Sequence, residues 1–347
     1  RLRCDWSSDV CSSDLGRPDV QKLLRENFVI VAADDWYQRR QDDELGKFFR
    51  SVANQGPRKG AGGGTRQGRY AFSASGKLLG FNNNRDPQRI LKMLRESLEK
   101  FAALPANERK AGAVKVPPLK DSARDQRYAR TPPKGGKILR VHSRVLEKDK
   151  EGNYVACGNP EANTNTFRHN GFGSSTDHLW LTAEEFKSLS DLAEGDPKGT
   201  PIPAPIAMRI ARFHLVDNTR GEPPHWTRDE VRKLTLRAMP VSRGRRSPYR
   251  THLHLTGEFH LETKDGKRGY LGEFRGSLRI TARTGESEFK LVAIGQHWGE
   301  GRYTGNARPG KNPLAVGFTL ADPRRPAHRV PPQPSRWEQG YYQADRH

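Results

Sequence analysis

Cysteine is scarce in this chain, with three residues in 347, and two of them, Cys4 and Cys11, fall in the first eleven positions. That leaves Cys157, in YVACGNP, as the one thiol in the body of the sequence. A single thiol makes neither an intrachain disulfide nor a C-x-x-C site, and its default reading is a small buried residue. Long apolar runs are also missing. No stretch approaches the ~18 apolar residues of a membrane-spanning helix, so there is no transmembrane segment in the given chain. There is no G-x-x-x-x-G-K-[ST] loop, no G-x-S-x-G elbow and no Cys–His pairing, which argues against nucleotide cradling and covalent hydrolase chemistry. Acidic residues are in deficit: 40 Asp and Glu against 61 Lys and Arg give a formal charge of +21. Such a charge favours nucleic acid or anionic surfaces. Yet the basic residues are scattered among acids, as in LLREN and RESLEK, with no RNP1-like strand, Cys/His finger or basic zipper. Nucleic acid or another polyanion is therefore allowed but not favoured as a partner, beside an unidentified protein or small ligand.

What is present begins with RLRCDWSSDVCSSDLG. It has no basic start, apolar core or cleavage pattern of a signal peptide, and no amphipathic period. It resembles the translated sequencing-adapter read-through that opens some metagenomic gene fragments. On that resemblance residues 1–16 are foreign and expected to be disordered or unpacked. The native sequence then begins near Arg17 without its true N-terminus, and export and compartment stay undecided.

Residues 17–104 read as a compact α/β unit. PDVQKLLREN is a short helix, and FVIVAA (28–33) is a continuous apolar run, the pattern of a strand covered on both faces. DDWYQRRQDDELGKFFRSVANQG carries Leu45, Phe48, Phe49 and Val52 at helical spacing. After the Gly-rich PRKGAGGGTRQG, RYAFSASGKLLGF reads as a hairpin turning at Ser75-Gly76. DPQRILKMLRESLEKFAAL is the clearest helix: Asp86 caps it, Pro87 suits N1, and Ile90, Leu91, Leu94, Leu98 and Phe101 form one stripe. Residues 105–136 are a Pro/Lys/Arg-rich linker or wrapping strap. From 137 to 330 a second domain is expected. It has helices at LTAEEFKSLSDL and WTRDEVRKLTL, each with a capping box, a strand at IAMRIARFHLV, and four β segments after Pro248. Residues 331–347 read as a polar tail that docks or frays.

The order of elements in 18–104 resembles the thioredoxin-like superfamily. The segment DDWYQRRQ looks like the place where that family carries Trp-Cys-x-x-Cys: Trp36 matches the tryptophan, while Tyr37 and Arg40 stand where the cysteines belong. The family's cis-proline precedes the first hairpin strand, where this chain has Thr65, Arg66, Gln67 and Gly68. The resemblance implies the fold but not the activity. Disulfide exchange needs an attacking thiolate and a resolving thiol, and neither Tyr37 nor Arg40 can act as one. Asp35, Trp36, Tyr37 and Arg40 remain candidates for a binding crevice at the carboxyl end of a strand, or else serve as cap and shield.

In THLHLTGEFHLE, period two puts His252, His254, Glu258 and His260 on one strand face, with the two neighbouring imidazoles ~6–7 Å apart. The spacing His-x-His-x-x-x-Glu resembles the first metal motif of the cupin family. Arg246 stands where that family has a glycine, and His297 would have to supply the later ligand. A divalent metal on His252, His254, Glu258 and His297 is therefore one reading, and a solvated row on an amphipathic strand is the other. Finally, Asp177 and His178, the run His214, Asp217, Arg220, Glu222 and His225, and the group His297, Trp298, Glu300 and Arg308 could meet around a pocket. They could equally be a hydrogen-bonded loop cluster. The resulting expectation is an α/β thioredoxin-like domain followed by an α+β domain dominated by antiparallel strands. It would act as a non-catalytic scaffold or binding protein without a resident cofactor, with metal binding and polyanion binding as alternatives.

Overall fold

A computed structural model of the chain describes residues 3–5, 17–60, 62–84, 86–110, 112, 120–128, 130–157, 173–242, 247–322 and 324–346. They fall into two compact units, 1–130 and 131–347.

In the first unit, β1 (Arg3–Asp5) pairs parallel with β2 (Ile30–Ala32). These three backbone residues thus form a ladder in a stretch expected to be unpacked. Trp6 and Cys11, on which that expectation turns, lie outside the described residues. α1 (Pro18–Asn27) starts on Pro18, whose missing N–H costs nothing at a helix start. α2 (Asp35–Gln38) and α3 (Glu44–Ala53) are capped by Asp34 and Asp43. β3 (Arg69–Phe72) and β4 (Leu78–Asn82) form the expected hairpin, with Gly76 at φ +84° supplying the turn. α4 (Pro87–Ala102) is capped by the Asp86 carboxylate and buries Ile90, Leu91 and Leu94 against Val20 and Ala71. Among the described residues β1–β2 and β3–β4 are separate two-stranded ladders. Val29 and Val31 are 38% and 41% exposed, so the apolar run 28–33 is not covered on both faces as expected. Part of the presumed linker folds back: α5 (Ala106–Arg109) is followed by residues 120–128, where Asp125 exchanges backbone-to-carboxylate bonds with Asp42 and Asp43.

The second unit is built on one antiparallel sheet. Its strands are β5 (Lys137–Lys148), β6 (Tyr154–Ala156), β7 (Ser174–Leu181), β8 (Thr200–Pro201), β9 (Val231–Pro240), β10 (Tyr249–Glu262), β11 (Gly269–Thr281), β12 (Ser287–Trp298) and β13 (Asn312–Leu320). The order is β6–β5–β13–β12–β11–β10–β9–β8, with β7 also on β5. Period-two alternation sends Leu253, Leu255, Phe259 and Leu261 of β10 and Tyr270, Phe274, Leu278 and Ile280 of β11 inward, where β12, β13 and β5 add to one core. α6 (Ala183–Asp191) carries the expected capping box.

Two expectations fail here. IAMRIARFHLV is not a strand but α7 (Ala204–Arg209) continued by a π turn, Ile210–His214. Almost every side chain in it is buried, and an apolar run buried all round carries no period that separates helix from strand. The π turn touches both β7 and β9, strands near the two ends of the sheet. WTRDEVRKLTL is not a helix. Its capping box forms, but it supports a single 3-10 turn, Arg228–Glu230, before the chain joins β10 as β9. Of the two outcomes expected for the tail, docking is the one found: α8 (Glu338–Tyr342) packs Tyr341 and, just after it, Ala344 against Ile138, Trp180 and Phe213. Among the described residues no helix is long and apolar enough to cross a membrane.

Candidate functional site

In the first unit the acidic pair after β2 is occupied by its own chain. Asp34 accepts the Trp36 N–H as helix cap at 2.7 Å. Asp35 pairs with Arg39 at 2.7 Å and accepts hydrogen bonds from Thr65 Oγ1 at 2.9 Å and the Arg66 N–H at 3.1 Å. Tyr37 is buried, Trp36 meets Tyr37 and Tyr128 edge-on, and Arg40 stacks over the Trp36 ring at 4.4 Å. The structure thus brings Asp35, Trp36, Tyr37 and Arg40 together around the start of α2, in packed and hydrogen-bonded positions.

The histidine strand behaves as period two requires on its own face and fails beyond it. His252 and His254 are neighbours, ring centroids 5.7 Å apart, and His252 Nε2 accepts from Arg279 Nε at 3.3 Å. Glu258 sits six residues along a straight strand from His252, roughly 20 Å away at strand rise, and is paired with Lys233. His297 follows Phe289, Leu291, Ala293 and Gly295 on the inward face of β12. It therefore lies on the opposite side of the sheet from the other three. Among the described residues no group of three or more His, Cys, Asp or Glu is placed to hold a metal ion.

The loop candidates of the second unit separate into two clusters. In the first, Asp217 accepts from Arg220 Nε at 2.7 Å and from the Thr219 N–H and hydroxyl at 3.0 and 2.6 Å. Arg220 reaches on to the carbonyls of Gly299 and Thr304, fixing the loop after β12. Burial alone would raise the Asp217 pKa, but the Arg220 charge, with His297 and these hydrogen bonds, holds it well below the usual carboxylate range. His297 is 9% exposed, and burial pushes it down to about 4, so its imidazole is neutral. Arg268 stacks 3.8 Å over Trp226. Val216, Asp217, Arg220, Trp226, Arg268 and His297 line a cavity of ≈ 10 Å³, room for about one water. Trp298 donates Nε1–H to the Gly266 carbonyl and carries Lys311 on its ring, while exposed Glu300 accepts the Ala307 N–H.

In the second cluster, Asp177 Oδ2 lies 3.2 Å from His214 Nδ1, off the line of a good hydrogen bond, and His214 Nε2 meets the Tyr341 hydroxyl at 3.2 Å. The Tyr341 oxygen also accepts the Trp180 N–H at 3.2 Å. Carboxylate, imidazole and hydroxyl in a row is the arrangement that activates a nucleophile elsewhere. Here Tyr341 is 0% exposed, and burial raises its pKa well above 10. Beside it Arg209 donates to Glu185 and to the carbonyls of Trp180, Tyr341 and Tyr342. Arg212 donates to the carbonyls of Trp226 and Ala344. His225, half-buried against Phe213, is also pushed down by burial to about 4. His178 belongs to neither cluster, because it points to the outward face of β7.

Sequence reading did not single out Arg209, Arg212, Arg268 and Tyr341. A buried arginine has no local pattern, and the acceptors of Arg209 and Arg212 lie as far as 133 positions away. Cys157 is free, and its thiol donates to Glu147 at 3.0 Å; burial and this contact push its pKa up to about 11. Compared with protein-family models, with curated proteins and with solved structures, the chain matches none.

Proposed function

We propose that the chain is a non-catalytic binding protein whose first unit is a redox-inactive thioredoxin-like scaffold. The observation that carries this reading is the Asp35 carboxylate. In the resemblance, residues 34–40 take the place of the dithiol motif and residues 65–68 that of the cis-proline. Asp35 bonds one segment to the other through Thr65 and Arg66. Groups that would face a substrate are spent on joining two loops. The state of Cys157 supports the same reading, since at neutral pH a thiol of pKa about 11 supplies almost no thiolate to attack a disulfide. The buried Asp177–His214–Tyr341 row and the Asp217–Arg220 pair act as positioning groups for the C-terminal segment and the 299–305 loop.

The test is reduction of insulin disulfides by dithiothreitol, followed by turbidity, with and without the full chain. No acceleration over dithiothreitol alone is expected. Acceleration that disappears in Cys157→Ser would overturn the reading.

A further inference from the structure

The outward face where β13, β5 and β7 lie side by side carries four basic groups, of which Arg140 and His178 keep a nitrogen unsatisfied, while His142 Nδ1 meets Thr176 Oγ1 at 3.3 Å and His328 Nδ1 meets the Asp322 backbone at 3.1 Å. In the antiparallel register Arg140 stands opposite His178 and His142 opposite Thr176. Paired residues share a face, and alternation along β5 turns Leu139, Val141, Ser143 and Val145 to the core and Arg140 and His142 outward. On the other side, the β13 partners of Arg140 and His142 are Thr319 and Gly317. A Cβ at Gly317 would meet nothing nearer than 4.0 Å, so the floor beside His142 is open. His328, on the 3-10 turn Pro326–Arg329, brings its ring centroid to 6.3 Å from that of His178.

The polar atoms here are under-used. His178 is 6% exposed, yet its Nε2 is buried without a hydrogen-bond partner. Arg140 is half-buried, its Nε likewise has no partner, and among the described residues no carboxylate pairs with its guanidinium. A buried donor left unmade costs stability, and native structures answer it with a partner. Burial, then the nearby Arg140 and His328 charges, also lower His142, and the same surroundings with Asp177 opposing take His178 to about 4. His328 is lowered too, by burial and then Arg140. A metal cation would have to sit beside the guanidinium, which repels it. An anion answers the Arg140 charge and the two unpartnered nitrogens, Arg140 Nε and His178 Nε2.

We propose that this face binds a tetrahedral oxyanion of the phosphate type, with Arg140 supplying the charge, His178 Nε2–H a directed donor, and the His142–Thr176 pair and His328 the flanks. The donors come from three separate elements rather than from one planar fork, which suits a tetrahedral group better than a carboxylate. The site lies wholly in the second unit and holds whether or not the first unit is redox-inactive.

Calorimetric titration of the full chain with inorganic phosphate at constant ionic strength tests it, with histidine-ring NMR reporting the position. One saturable site is expected, with the His178 ring signals shifting. Arg140→Gln should weaken binding by about tenfold or more, the worth of one charge-assisted bond. Arg279→Gln, an outward arginine paired with Glu288 elsewhere on the sheet, should leave it unchanged. His178→Gln, which keeps a donor in a similar place, gives a second variant should Arg140→Gln fold poorly, and it too should weaken binding. A phosphomonoester such as glycerol 3-phosphate binding more tightly identifies the group as part of a larger ligand; equal affinity identifies the free anion. No saturation by about 10 mM, equal loss in Arg279→Gln, or undiminished binding in both site variants would overturn the proposal.

Discussion

Arg209 uses all five of its N–H donors, on Glu185 and on three main-chain carbonyls, while its guanidinium stacks on Tyr341 and Tyr342 at 4.9 and 4.7 Å. A lysine has the charge but not the planar fork, so several of those acceptors would be left buried and unmatched. Arg209→Lys should lower unfolding free energy by about 2–4 kcal/mol in urea titration, and a loss under about 0.5 kcal/mol would contradict this role. Asp35 plays the corresponding part in the first unit. Asp35→Ala removes the acceptor of Thr65 and Arg66 and should cost about 1–2 kcal/mol. Limited trypsin digestion should then cut faster at Lys59 and Arg66; unchanged cleavage would show that the loop is held by other contacts. At this scale the sequence was half legible. Local partners such as Asp86 as a cap and the Thr182–Glu185 box could be read from spacing alone. Partners more than a hundred residues apart, such as Arg209 and Tyr341, leave no mark on either neighbourhood.

The elements that were misread share one cause. Residues 204–214 and 228–240 each carry an apolar pattern that tertiary contacts decide. The first buries Ile206, Ala207, Ile210 and Ala211 in the core of the sheet and becomes a helix. The second is drawn into a ladder with β10 over most of its length, which outweighs a capping box worth about one turn. The strands after Pro248 were legible because one face is wet and the other buried, which leaves alternation in the sequence. The same alternation explains why the four metal candidates part company: residue parity on β12 puts His297 inward whatever its chemistry. The C-terminal element, read as a tail that docks or frays, docks on Trp180 and Phe213. Deleting residues 338–347 should expose that apolar surface and strip carbonyl acceptors from Arg209 and Arg212. The expected outcome is strong dye binding by 8-anilinonaphthalene sulfonate and a loss of more than about 3 kcal/mol. An unchanged melting curve would favour the frayed alternative.

For the whole molecule, charge told less than arrangement. The net +21 is real, but on β9–β12 basic side chains are met by acids, as in Lys233–Glu258, Arg275–Glu273 and Arg279–Glu288. The groups that matter for stability are the buried ones. His178, His225 and His297 are each held near 4 chiefly by burial, below the ordinary value of 6.5. As pH falls, the unfolded chain therefore takes up these protons first. The stability that depends on neutral imidazole is complete above about pH 6.5 and drains away toward pH 4, at about 1.4 kcal/mol per pH unit for each histidine. Asp217, whose pKa is depressed, keeps its contribution above about pH 3.9 and loses it only below that. The central claim is that the buried polar clusters, with His225 and His297 held neutral in them, keep the second unit together. Its most direct test is the unfolding free energy measured by urea from pH 8 to pH 4. A plateau above about pH 6.5, followed by a steep fall with uptake of one to three protons on unfolding, is the predicted result. Stability that stays flat down to about pH 4.5 would contradict it.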